Sequence, residues 1–83
     1  DYKNYCTVLC SSSRTFPKKK NQHLSVLSLS DISTGVSISG VQYPLSDYTL
    51  YNTFPLGISN EYIDEHAQIS VKNGTLLVIL SED

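Results

Sequence analysis

The chain has 83 residues, 40% of them apolar and 17% charged, with a formal net charge of −2. That length allows a single domain over residues 1–83, and a chain of this size buries only roughly 60–65% of its unfolded surface, so self-association is expected to add stability. The charge balance excludes a global field that would recruit nucleic acid or an anionic membrane, and no apolar run approaches the length of a bilayer span.

Tyr5 to Cys10 alternates like a strand and puts Cys6, Val8 and Cys10 on one face. At about 3.3 Å per residue the two cysteine Cα atoms lie about 13 Å apart, beyond the reach of a disulfide. Buried free thiols are expected, which fits a reducing, cytoplasmic setting. Ser11 to Gln22 is polar, carries Pro17 and holds four of the six basic residues, so it reads as a loop or an exposed hairpin connection. Its Lys18-Lys19-Lys20 cluster lacks the interleaved aromatics of a nucleic-acid surface.

Leu24 to Ser30 is the next strand. Leu24 and Val26 share one phase, Leu27 and Leu29 the other, which means either a bulge or apolar demand on both faces. Asp31 to Gly35 reads as a turn, and Val36 to Val41 as a short strand with Val36 and Ile38 inward. Pro44 sits in a short connection before a strand over Tyr48 to Leu56, with Tyr48, Leu50, Phe54 and Leu56 on one parity. Gly57 to His66 reads as a connecting loop in which Ser59 or Asn60 could cap a single helical turn.

Ala67, Ile69 and Val71 then alternate as one buried strand face. Asn73-Gly74 suits a two-residue type I′ turn, whose central positions both need φ > 0. Leu76 to Leu80 is apolar on both faces, as in a strand covered on both sides. A terminal β-hairpin in the middle of a β-domain is expected. About six short strands and no sustained 3.6-residue period indicate an all-β, immunoglobulin-like antiparallel β-sandwich.

Nothing assembles into a catalytic set. His66 follows Asp64 and Glu65, but neighbouring side chains on a loop diverge, and no second cluster completes a metal shell. The serines lack a nucleophile elbow, and no phosphate-binding glycine loop is present. A non-enzyme without metal or cofactor is expected. Tyr43, Tyr48 and Tyr51 cluster near one strand, which suits either an interface or strand formers with hydroxyls in water.

Three segments together resemble the α-crystallin domain of small heat-shock proteins: Val36-Ser37-Ile38-Ser39-Gly40, Phe54-Pro55-Leu56-Gly57-Ile58, and Asn73-Gly74-Thr75 running into Leu76–Leu80. The resemblance implies an ATP-independent holdase chaperone that shields partly unfolded proteins in an apolar groove. It places that groove between the Leu24–Ser30 and Ala67–Val71 strands, with Leu27, Leu29, Ile69 and Val71 as its residues; the alternative for all four is ordinary core. Only six residues separate Val41 from Tyr48, too few for a swapped loop. The resemblance then implies a dimer that pairs the edge of the Tyr48–Leu56 strand, carrying Tyr48 and Tyr51, with itself. The rival reading is a non-catalytic structural or interaction β-sandwich module of a virion, adhesion or secreted assembly.

Overall fold

A computed structural model describes residues 4–19, 22–52 and 58–82. Eight strands follow in chain order: β1 (Asn4–Cys10), β2 (Ser13–Pro17), β3 (Gln22–Ser28), β4 (Ile32–Ser39), β5 (Leu45–Tyr51), β6 (Ile58–Glu61), β7 (His66–Ser70) and β8 (Thr75–Glu82). They form two antiparallel four-stranded sheets, ordered β1-β8-β3-β6 and β2-β7-β4-β5. The expected all-β sandwich is present. Among the described residues no helix is long and apolar enough to cross a membrane.

Antiparallel partners share a face, so the register sorts every side chain. In the first sheet Leu9, Leu76 and Ser28 form one inward row, and Val78 and Val26 another. In the second, Phe16 pairs with Ala67, and Ile38 with Ile69. These inward rows and Val36 make a buried core between the sheets. Period-2 alternation is thus read correctly at Leu24/Val26, Val36/Ile38 and Ala67/Ile69/Val71, all of them buried.

Asn73-Gly74 behaves differently from the expected hairpin. The strands on either side of it, β7 and β8, belong to different sheets and do not pair. Asn73 has no positive φ, whereas Gly74 has φ 123°. The chain here turns a corner from one sheet to the other. Asn73 exchanges backbone hydrogen bonds with Thr34 (3.2 and 2.8 Å), and the Gly74 carbonyl accepts from Ser11 N–H at 3.0 Å. A Cβ on Gly74 would lie 2.8 Å from the Ser33 Cα, so the corner needs glycine for both conformation and space.

A buried serine relay lies under that corner. Ser28 Oγ donates to the Ser30 carbonyl at 2.7 Å and lies 2.6 Å from Ser33 Oγ. Ser33 Oγ also donates to the Thr75 carbonyl at 3.4 Å, so either hydroxyl can supply the proton between the two serines. Ser30 Oγ in turn accepts from Thr75 N–H at 2.9 Å. The β3–β4 connection is thereby tied to the first residue of β8.

Four other expectations are corrected. The Ser11–Gln22 loop contains β2, an edge strand anchored by the buried Phe16. The Asp31–Gly35 turn is shorter, because β4 begins at Ile32. The Gly57–His66 loop contains β6, followed by bends and no helical turn. The strand predicted over Tyr48 to Leu56 runs from Leu45 to Tyr51, and Thr53 to Gly57 fall outside the described residues.

The thiols are also misplaced by the sequence reading. Cys6 and Cys10 are both free, and both are exposed. Alternation assigns them one face correctly, but Leu9 in the opposite phase points to the core.

Two outcomes are expected from this packing. Gly74→Ala should lower unfolding stability by about 1–3 kcal/mol in a urea titration. Both cysteines should react with a thiol reagent in the folded protein, with a stoichiometry unchanged by denaturant.

Candidate functional site

The connection between β4 and β5 carries the most exposed of the described inter-strand tyrosines, Tyr43, with 61% of its surface in water. Its backbone is fixed from across the sandwich. Asn60, on β6, shares the inward row of Leu24 and is buried. An amide in that position must find partners, and it takes both from Tyr43. Tyr43 N–H donates to Asn60 Oδ1 at 2.7 Å, and Asn60 Nδ2 donates to the Tyr43 carbonyl at 3.0 Å.

Neighbouring contacts brace the same corner. Gln42 N–H donates to the Glu61 carbonyl at 2.9 Å, and Val41 bridges Tyr62. Gly40, with φ 78°, accepts from Ile63 and Asp64 N–H at 3.0 and 3.2 Å. A Cβ there would overlap the His66 carbonyl, so the chain can approach this closely only at glycine. Tyr62 is buried beside the turn; its hydroxyl meets no partner among the described residues, and burial raises its pKa. Glu61 extends toward His23, with 3.6 Å between Oε1 and Nε2. The result is a rigid frame holding one aromatic ring in solvent beside a carboxylate-bearing strand.

A second concavity opens at the β1–β2 side. It is a cleft of about 190 Å³ lined by Tyr5, Arg14, Thr15, Phe16, Pro17, Lys19, Gln22 and Leu80. Its buried members are Phe16 and Leu80. Arg14 lies over the Phe16 ring, 5.4 Å from its centroid, and donates to Thr7 Oγ1 at 3.1 Å.

The residues expected to form a groove are not brought together. Leu27 is on β3, Ile69 on β7, and these strands lie in different sheets. Ile69 and Val71 belong to the core between them. Leu27 shares the outward row of Val8 and Leu77, and Leu29, 50% exposed, lies just beyond β3. Tyr48 and Tyr51 are on β5, an edge strand, each 51% exposed. Their partners, the buried Val36 and the exposed Ile32, put the two rings on opposite faces. Among the described residues no three His, Cys, Asp or Glu side chains group as metal ligands.

Sequence reasoning noticed Tyr43 only as one of a tyrosine cluster, and took Asn60 for a helix cap. The useful signal was Gly40 together with Tyr43-Pro44, a turn after an alternating strand. The basic cleft was hidden in a segment read as loop, where Arg14 and Phe16 alternate.

Comparison with known proteins identifies the relatives. Residues 2–76 match the family described as thiamin pyrophosphokinase, vitamin B1 binding domain. The thiamin pyrophosphokinase of Geobacillus thermodenitrificans superposes with a TM-score of 0.89 at 27% identity, over 96% of this chain and 38% of that one. That of Bacillus subtilis gives 0.88 and 25% identity, over 96% and 38%. A thiamin pyrophosphokinase family protein from Enterococcus faecalis, at 24% identity and a TM-score of 0.81, shares the fold. No curated protein matches the sequence. The chain thus spans under two fifths of the length of these solved relatives.

These findings overturn the small heat-shock resemblance and the holdase function drawn from it. The three motifs are features that unrelated antiparallel sandwiches share, and the Asn-Gly element is not even a hairpin here. Unfolded-protein clients give way to a small-molecule ligand as the partner that the family description names. A structural module of a virion, adhesion or secreted assembly is likewise unsupported. The expected non-enzyme is corrected too, because the matched domain is named for an enzyme. With the match covering residues 2–76, the chain belongs to the vitamin B1-binding domain family of thiamin pyrophosphokinase.

Proposed function

We propose that this chain is the thiamin-binding β-domain of a thiamin pyrophosphokinase, and that Tyr43 is the platform on which the vitamin's rings rest. The family match over residues 2–76 carries the first part. The Asn60–Tyr43 clamp supports the second.

Thiamin is a flat aminopyrimidine joined to a permanently cationic thiazolium. An aromatic face attracts such a cation by about 0.5–2 kcal/mol, depending on desolvation. Tyr43 offers that face in water, and its main chain is fixed at both N–H and carbonyl, so little backbone freedom is lost on binding. Glu61, whose own carbonyl accepts from Gln42, adds negative charge on the adjoining strand. Asn60 acts as a positioning residue. The turn holds an aromatic ring and leaves the other walls of a vitamin-sized pocket to the rest of the enzyme.

Transfer of a pyrophosphoryl group to thiamin is the activity proposed for the whole protein, with this domain presenting the acceptor. A cytoplasmic location is proposed with it, since two exposed free thiols suit a reducing compartment.

Calorimetric titration of thiamin into the full-length protein tests the reading. Tyr43→Ala should weaken binding about 3- to 30-fold, the range of a cation–aromatic contact, while Tyr43→Phe keeps it. Equal affinity in Tyr43→Ala and the parent would remove the platform. Asn60→Ala should raise KM for thiamin more than it lowers kcat, because the ring remains but its position is lost. Absence of thiamin binding by the parent protein would overturn the assignment itself.

A further inference from the structure

The cleft between β1 and β2 has a chemistry unlike that of the Tyr43 turn. Its floor is apolar and aromatic: Phe16 and Leu80 are buried, and Tyr5 forms a wall. Its rim is cationic, with Arg14 and Lys19 both exposed, and neither makes an ion pair among the described residues. The Arg14 guanidinium is pre-oriented by its position over the Phe16 ring and its hydrogen bond to Thr7 Oγ1. Among the described residues most of its donor fork is left uncommitted.

Gln22 supplies a third demand. It lines the cleft, and its Oε1 is buried with no donor in reach among the described residues. A buried acceptor without a partner costs about 1–3 kcal/mol, a deficit that a ligand N–H can relieve. The cleft's volume of about 190 Å³ holds one ring system rather than a whole drug-sized molecule. A charged substituent on such a ring would extend to the rim.

From this we propose that the cleft is a second ligand site, for a flat aromatic ring that bears an exocyclic amine and a phosphate. The ring lies between Tyr5 and the Phe16–Leu80 floor, the amine donates to Gln22 Oε1, and the phosphate meets Arg14 and Lys19. Two sources share that chemistry: an adenine nucleotide, and thiamin once phosphorylated. Unphosphorylated thiamin is a cation and is disfavoured by the same rim. The site is therefore distinct from the Tyr43 platform and stands whether or not that platform is correct.

Amide chemical-shift mapping on the nitrogen-15-labelled protein tests it, with AMP, IMP, thiamin diphosphate, thiamin and inorganic phosphate as separate titrants. AMP or thiamin diphosphate should move the amides of Arg14, Thr15, Phe16, Gln22 and Leu80, and the tighter of the two identifies the source. Phosphate alone and thiamin alone should bind there at least about tenfold more weakly than the better of these two, lacking either the ring or the anion. Arg14→Gln and Lys19→Gln should each weaken the better ligand about two- to fivefold, as exposed charge pairs do. If AMP is that ligand, it should bind about fivefold more tightly than IMP, and Gln22→Leu should erase the difference. If thiamin diphosphate is, Gln22→Leu should weaken it by a similar factor. Unchanged unfolding midpoints in the three variants separate lost recognition from lost fold. No shift of these amides with either phosphorylated ring at millimolar concentration would overturn the proposal. So would thiamin binding the cleft as tightly as its diphosphate, or insensitivity to both charge substitutions.

Discussion

The passage of the chain from one sheet to the other at Asn73–Thr75 governs the rest of the sandwich. The backbone must leave β7, cross the edge of the core and enter the middle of the opposite sheet within a few residues. Gly74 makes the bend, and Thr34 takes up the hydrogen-bonding groups of Asn73. The serine relay then sets the depth at which β8 begins, since Ser30 Oγ accepts from Thr75 N–H. Every inward row of the first sheet, from Leu76 to Leu80, is counted from that point. A slip of one residue would turn Leu76, Val78 and Leu80 outward and expose the larger part of that sheet's inner face.

Much of this was legible in the sequence, for a simple reason. Where an inward row is made of large apolar side chains, alternation reveals both the strand and its phase, as at Ala67, Ile69 and Val71. Edge strands are quieter. β2 buries Phe16 and exposes its other residues, and β6 buries Asn60, a polar side chain. Neither leaves a periodic apolar trace. The Asn-Gly pair misled because the residue types that permit a tight hairpin also permit an inter-sheet corner. Which of these forms depends on the pairing of distant strands, and no local window contains it. The cysteines failed for a related reason: alternation groups side chains by face but does not say which face is buried.

The functional site was less legible than the fold. Asn60 serves Tyr43 across a gap of seventeen residues in sequence, and its role follows only from the meeting of β6 with the β4–β5 turn. The family resemblance drawn from motifs erred on the same ground, since strand, turn and strand in sequence order specify a class of sandwich and not one family. What distinguishes this chain is where polar groups interrupt its inner faces. An amide at the β4–β5 end and an acceptor without a donor among the described residues at the β1–β2 end are the interruptions on which the two proposed small-molecule sites rest.

The order of the strands has a kinetic consequence. β8 lies between β1 and β3, so residues near one end of the sequence close a sheet begun at the other. Folding dominated by such distant pairings is slow, because long loops must close before any contact repays them. During synthesis β1, and the edge of β3 opposite β6, wait unpaired until Thr75–Glu82 has been made. The first sheet cannot form by growth from its beginning; it assembles around its last-made strand, and its waiting edges are the stretch most in need of protection from aggregation.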